Sequence, residues 1–191
     1  MFINQLREAT KASHQQLDHQ LYPIIQSVSS EQAYGHLLTV FYGFYQPIYQ
    51  RLNAFLSDGT LVSDYQQRRQ PYWILDDLKT LDISASSGEN CQHLPAIDTL
   101  SAALGAYYVM EGATMGGSII AKKIASNTGL EESGNALRFF SAYRENNGKM
   151  WKIFLDTLEN VAAQDEDVQQ EIINTAQQTF ERFGQWIKAQ Y

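Results

Sequence analysis

Two groups of residues have types and spacings that imply chemistry. His14 follows Thr10 by four positions and precedes Leu17 by three, so it shares a helical stripe with Leu6, Thr10, Leu17 and Leu21. That stripe is the one expected to face the core. An imidazole on it has two readings: a buried histidine held by a hydrogen-bond partner, or a neutral ring nitrogen ligating iron. A ligand histidine usually donates its second ring N–H to an acceptor that fixes the tautomer. Asp18 stands one turn on, and a backbone carbonyl would serve equally. His19 points to a different face, His36 is placed on the surface of the next helix, and His93 sits in a polar loop, where exposure is expected.

The second group is Gly112, Gly116 and Gly117, in the most apolar stretch of the chain. Glycine inside a helix costs roughly 0.5–1 kcal/mol relative to alanine, so the three together cost about 2–3 kcal/mol. Two compensations are open. Gly-x-x-x-Gly spacing allows close helix–helix packing. A bare backbone also lets a flat aromatic plate lie against the main chain, with paired glycines permitting a bend. Together with His14, the second compensation describes a slot for a flat ligand with a metal at its centre. Thr114, Met115 and Ser118 would then add small or adaptable contacts, and Tyr107 and Tyr108 would reach the edge of the plate or its acidic groups.

The elements that must position these groups are helical nearly throughout. Apolar residues recur at helical spacing over 2–20, and Pro23 with the serine-rich turn at 27–30 separates this segment from a helix over 31–56. Pro47 is expected to kink that second helix. A shorter helix follows Pro71, and 84–95 reads as a loop. A helix capped by Asp98 runs to about Ser126 and ends at Gly129. Short helical sequence at 135–145 precedes two final helices over 148–163 and 166–189. No alternating strand pattern, internal repeat or linker is visible. The expectation is one all-α domain spanning 1–191, a bundle of about seven or eight helices.

Composition narrows the function. A hydrophobic fraction of 44% supports a sizeable core. The net charge of −7 argues against nucleic acid as a partner. Cys91 is the lone cysteine and has no internal partner, which fits a reducing compartment. The N-terminus carries charges where an export signal needs its apolar core, so a cytoplasmic protein is expected. Residues 102–121 are apolar enough to be considered for a membrane span, but Glu111 near the centre would cost about 2.5–3.5 kcal/mol there. A buried core helix is the expectation.

These residues resemble a known family. Leu6 to His14, read Leu-Arg-Glu-Ala-Thr-Lys-Ala-Ser-His, is similar to the proximal helix of haem oxygenases. Tyr108 to Gly117, read Tyr-Val-Met-Glu-Gly-Ala-Thr-Met-Gly-Gly, is similar to their distal helix, above all in the bacterial branch that includes the bacteriophytochrome-associated enzymes. Trp151 to Glu159 resembles the later helix near the haem edge. The resemblance implies an all-helical fold with haem sandwiched between two helices, and oxidative opening of haem to biliverdin, carbon monoxide and ferrous iron. It places His14 as iron ligand, Gly112, Gly116 and Gly117 as the distal glycines, and Arg7, Lys152 and Tyr107 toward the propionates. Lys149 is a further candidate cation there. Many relatives carry an aspartate after the first distal glycine, where it orders water near bound oxygen; here that position is Ala113.

No flavin or nucleotide motif is present, so oxygen chemistry would draw electrons from a separate reductase or ferredoxin. Lys11, Lys122, Lys123 and Arg144 are candidates for a docking face, and a bilin-accepting protein is a further possible partner. The rival from another class is a non-catalytic haem- or bilin-binding protein. A di-iron oxidase would want Glu-x-x-His pairs, yet Lys11, Gln16, Ala33 and Asn90 stand three residues before the histidines. A thiaminase-like hydrolase would want a nucleophilic cysteine in a pocket, and Cys91 reads as a loop residue.

Overall fold

The computed structural model describes residues 1–84, 89–132, 134–163 and 165–191. Among them there is no strand, and seven α-helical segments carry the fold: α1 (Phe2–Ser27), α2 (Glu31–Leu56), α3 (Tyr72–Thr80), α4 (Leu100–Thr128), α5 (Arg138–Ser141), α6 (Asn147–Ala162) and α7 (Glu166–Gln190). Six are helices of substance and α5 is a single turn, close to the seven or eight expected. Residues 135–146, expected as one short helix, are α5 flanked by single 3-10 turns at Asn135–Leu137 and Arg144–Asn146. Part of the loop expected over 84–95 lies outside the described residues.

Local sequence explains most boundaries. Ser30 accepts the backbone N–H of Ala33 and so caps α2. Thr99, one residue later than the expected Asp98, does the same for α4 through Ala102. Gly129 closes α4 in the left-handed region at φ 79°. The first turn of α1 is capped from a distance, because the Glu159 carboxylate of α6 accepts the N–H groups of Phe2 and Ile3 at 2.8 and 3.0 Å. Pro23 was expected to end α1, but the helix runs through it. The proline and His19, whose carbonyl it leaves without a helical donor, are both exposed, so water can satisfy that carbonyl.

α4 is the central element. It packs most extensively on α7, on which α1 also lies, and α2, α5 and α6 complete the surround. Residues 102–111 of α4 are buried all round. No helix among the described residues is long and apolar enough to cross a membrane. Cys91, read from sequence as a polar-loop residue, is buried, its N–H held by the Gly43 carbonyl at 2.8 Å.

Candidate functional site

Residues of α1 and α4 line a cavity of about 470 Å³. Its inner end is aromatic. Phe41, Tyr45 and Phe183 pack ring against ring there, with Phe41 also against Phe140. All four are nearly inaccessible to solvent. The outer end is open, and His14 stands in it.

The sequence placed His14 on the buried face of α1. The structure corrects this: the side chain is 58% exposed. The stripe does turn inward, but at this level it faces the open cleft instead of packed core. Leu17 and Leu21 of the same stripe are buried and also line the cavity. The imidazole lies 5.1 Å from the Phe180 ring, and its Nε2 is 3.5 Å from the Asp18 carboxylate. Both side chains of that pair are more than half exposed, so the contact holds the ring only weakly.

Of the three glycines, the structure brings two to the cavity. Gly112 and Gly116 line it with Ala113 and Met115 between them. A Cβ at Gly116 would meet nothing within 4 Å, and one at Gly112 would touch the Trp151 ring at 3.3 Å. Gly117 does not line the cavity. Its missing side chain is explained by packing: a Cβ there would stand 2.2 Å from the Phe140 carbonyl oxygen, so only glycine lets α4 and α5 approach. Thr114 is also turned away and fully buried, its hydroxyl donating to the Glu111 carbonyl at 2.7 Å.

The tyrosine and lysine expectations shift as well. Tyr107 is buried on the far side of α4, against Tyr65 and Phe154. Its neighbour Tyr108 lines the cavity instead, beside Trp151. Burial pushes the Tyr108 hydroxyl's pKa up, against the pull of the adjoining Thr10 hydroxyl and Arg7 guanidinium. Arg7 and Lys11 line the cavity. Lys149 and Lys152 do not; both are exposed on α6, where Lys152 pairs with Asp156 one turn on. The cavity wall thus carries three cations, Arg7, Lys11 and Arg69, against one carboxylate, Asp18, in a chain whose net charge is −7.

The sequence reading missed Arg68 and Arg69, which sit in an aperiodic segment before α3 and default to solvent on composition alone. Both are buried. Arg68 donates to Glu111 at 2.5 Å and to Asp64 at 2.7 Å. Desolvation raises the Glu111 pKa, while the two arginines oppose it. Tyr143 joins the group: its hydroxyl donates to Glu111 at 3.0 Å and accepts the Arg69 backbone N–H at 2.7 Å. Ala142 and Arg144, on either side of Tyr143, both hold positive φ, at 42° and 55°. Backbone strain at that corner accompanies the inward turn of Tyr143.

An imidazole open to the cleft, a wall with two side chains removed, an aromatic interior and a cationic rim suit a flat apolar ligand with anionic edges that accepts a nitrogen ligand. The fit is to the size and chemistry of such a plate. Comparison with known proteins agrees with this geometry. A family model described as Heme oxygenase matches residues 1–189. A solved structure titled "Structure of Heme Oxygenase from Leptospira interrogans" shares the fold at a TM-score of 0.71 and 18% identity, covering 98% of each chain. No curated protein matches the chain.

Proposed function

We propose that this chain, which belongs to the haem oxygenase family, binds haem in the cavity between α1 and α4 and opens it oxidatively to biliverdin, carbon monoxide and ferrous iron. Membership of the family supports haem degradation in general. The biliverdin product, the kinship with the bacteriophytochrome-associated branch and an external reductase or ferredoxin as electron donor are our reading.

The observation that carries it is the meeting, in one cavity, of the His14 imidazole with the bare Gly112–Gly116 wall. His14, which lines the cavity, would hold the haem iron through a ring nitrogen. Bound haem supplies the redox chemistry. The protein's part is to hold and orient. Phe180 backs the imidazole, and Asp18 is within reach of the ring to settle its tautomer. Gly116, where an added Cβ would meet nothing within 4 Å, would admit the plate close to the main chain, and Gly112 lets the Trp151 ring pack beside it. Arg7, Lys11 and Tyr108 offer charge-assisted or hydroxyl hydrogen bonds to carboxylates at the rim. The buried aromatic interior keeps bulk water from the ring.

Titration with ferric haem is expected to give a histidine-ligated Soret band that His14→Ala abolishes or shifts strongly. Adding reductant and oxygen is expected to convert the complex to a bilin, with the isomer identified by chromatography. An unchanged spectrum in His14→Ala excludes His14 as the ligand. A second reading is a haem- or bilin-binding protein without turnover. It draws on Ala113, which lines the cavity where many relatives place an acid. A haem spectrum that persists through aerobic reduction would favour it.

A further inference from the structure

The His14 side chain is loosely held by its own helix. Its pairing with Asp18 joins two groups that are both more than half exposed. Whatever fixes the direction of the imidazole must come from elsewhere, and α7 makes contact with α1 around it. The buried Phe180 ring lies 5.1 Å from the imidazole at a tilt of 31°. One turn earlier on the same face of α7, the Gln177 side-chain amide donates to the Ala9 carbonyl at 2.8 Å. Gly184 continues that face, where a Cβ would stand 2.6 Å from the Gln20 side-chain oxygen. The two helices therefore run side by side, from Ala9 against Gln177 to Gln20 against Gly184.

The bond from Gln177 reaches an acceptor that the helix already uses. Ala9 lies inside α1, where its carbonyl faces the Ser13 N–H in the helical ladder. A carbonyl has a second lone pair, and a second donor on it tilts the group out of the ladder. Three residues back, the Thr10 hydroxyl donates to the Leu6 carbonyl at 2.8 Å, which also loosens the ladder locally. The turn of α1 that leads into His14 thus carries extra hydrogen bonds, one internal and one from across the helix interface. Gln177 is half-buried, so its bond is partly shielded from water.

We propose that Gln177 is a positioning residue: by holding the Ala9 carbonyl against α7 it fixes the turn that carries His14 and, with Phe180, sets the plane of the imidazole toward the haem iron. Gln177 does not line the cavity, so it acts only through α1. The inference rests on the reading of the cavity as a haem site with His14 as ligand. It adds a second point of support for the imidazole, supplied by the helix 168 positions away in sequence.

The test uses the full chain loaded with haem and reduced without oxygen. Resonance Raman reads the iron–imidazole stretching band, and haem loss to an excess of a competing haem-binding protein is timed. Gln177→Glu keeps the side chain's length but at neutral pH can only accept. It is expected to shift or broaden the band and to speed haem loss about two- to tenfold, the range of one hydrogen bond. Gln177→Leu is expected to do the same, and Gln177→Lys, which restores a donor, to recover the wild-type band. Gln169→Glu is the control for a purely structural effect. Gln169 makes the same kind of bond from α7, to the Ala162 carbonyl at 2.8 Å, and does not line the cavity. Its loss is expected to lower the Tm without moving the band. Should Gln177→Leu fail to fold, the Glu and Lys variants carry the comparison. A band unmoved by loss of the Gln177 donor, moved equally in Gln169→Glu, or not recovered in Gln177→Lys overturns the proposal while leaving the haem site standing. A wild-type chain that takes up no haem, or whose complex shows no iron–imidazole band, overturns the underlying reading and the proposal with it.

Discussion

Gly116 and Gly117 are adjacent in sequence and the structure gives them opposite jobs, so the same substitution at each should move stability in opposite directions. Alanine at Gly116 places a methyl in open space, with nothing within 4 Å. The helix interior then gains the ordinary glycine-to-alanine benefit of about 0.5–1 kcal/mol. For a chain of this size that is a rise in Tm of about 1–4 °C. Alanine at Gly117 puts its methyl 2.2 Å from the Phe140 carbonyl oxygen, where ordinary contact begins at 3.4 Å. The obstacle is backbone, so α4 and α5 must separate by more than an ångström, at a cost of about 1–3 kcal/mol. The expected fall in Tm is about 2–12 °C. Both are read by thermal denaturation of the protein without haem. Haem titration adds the second axis. The Gly116→Ala methyl occupies the space proposed for the plate and should weaken haem binding about tenfold, the order expected of steric overlap, even as it stabilises the protein. A destabilised Gly116→Ala, or a Gly117→Ala that denatures like wild type, would refute the division of labour. A stabilised Gly116→Ala with undiminished haem affinity would move the plate away from this wall.

Arg68→Met should be among the most damaging single changes, costing about 3–5 kcal/mol in urea denaturation, because it strands the buried Glu111 carboxylate. Adding Glu111→Leu should recover much of that loss, and a double variant no better than the single would refute the pairing. Asp77 is buried, and its two carboxylate oxygens accept the N–H groups of Arg138 and Phe139 at 3.0 and 2.9 Å. Desolvation nevertheless pushes its pKa up to about 7 from an ordinary 3.8. The folded state therefore holds a proton that the unfolded chain releases, and this contribution to stability is lost as pH rises from about 4 through 7. Asp77→Asn should flatten the wild-type pH dependence across that window, at a fixed cost of about 1–3 kcal/mol for one unsatisfied N–H. An identical slope in both proteins would refute the assignment. Finally, Arg7→Ala should weaken haem binding measurably in a spectroscopic titration, whereas Lys152→Ala, which removes an exposed side chain off the cavity, should not. The reverse result would put the propionate edge on α6.

How much of this was legible in the sequence depends on how one-sided each helix is. The apolar stripe of α1 set the direction of His14 correctly; only its exposure was misjudged, because a stripe cannot say whether it meets core or cleft. For α4 the pattern fails where it matters most. Residues 102–111 are buried on every side, so no polar face marks which way Tyr107 and Tyr108 point. At 3.6 residues per turn, neighbours differ by about 100°, which suffices to send Tyr107 to the far side and Tyr108 to the cavity. The same turn separates Gly116 from Gly117. Arg68 and Arg69 were illegible for a different reason. They lie in an aperiodic segment, and composition places arginines at the surface unless a partner is known. The partner, Glu111, is more than forty positions away. In the sequence it stands out as an obstacle to a membrane span and as the acid nearest Ala113, and the cost that argues against the span is the cost that the arginine meets in the folded core. α4 is thus a helix of two faces. Val109, Gly112, Ala113 and Gly116 give it a wall bare of polar side chains toward the ligand space. Its back is tied to the rest of the fold by Glu111, which accepts from Arg68 and Tyr143, and by the Thr114 carbonyl, which accepts from the Asn147 amide at 3.0 Å. A helix carrying three interior glycines needs such an anchor to keep the bare wall in place, which ties the buried ion pair to the site although neither of its residues touches the cavity.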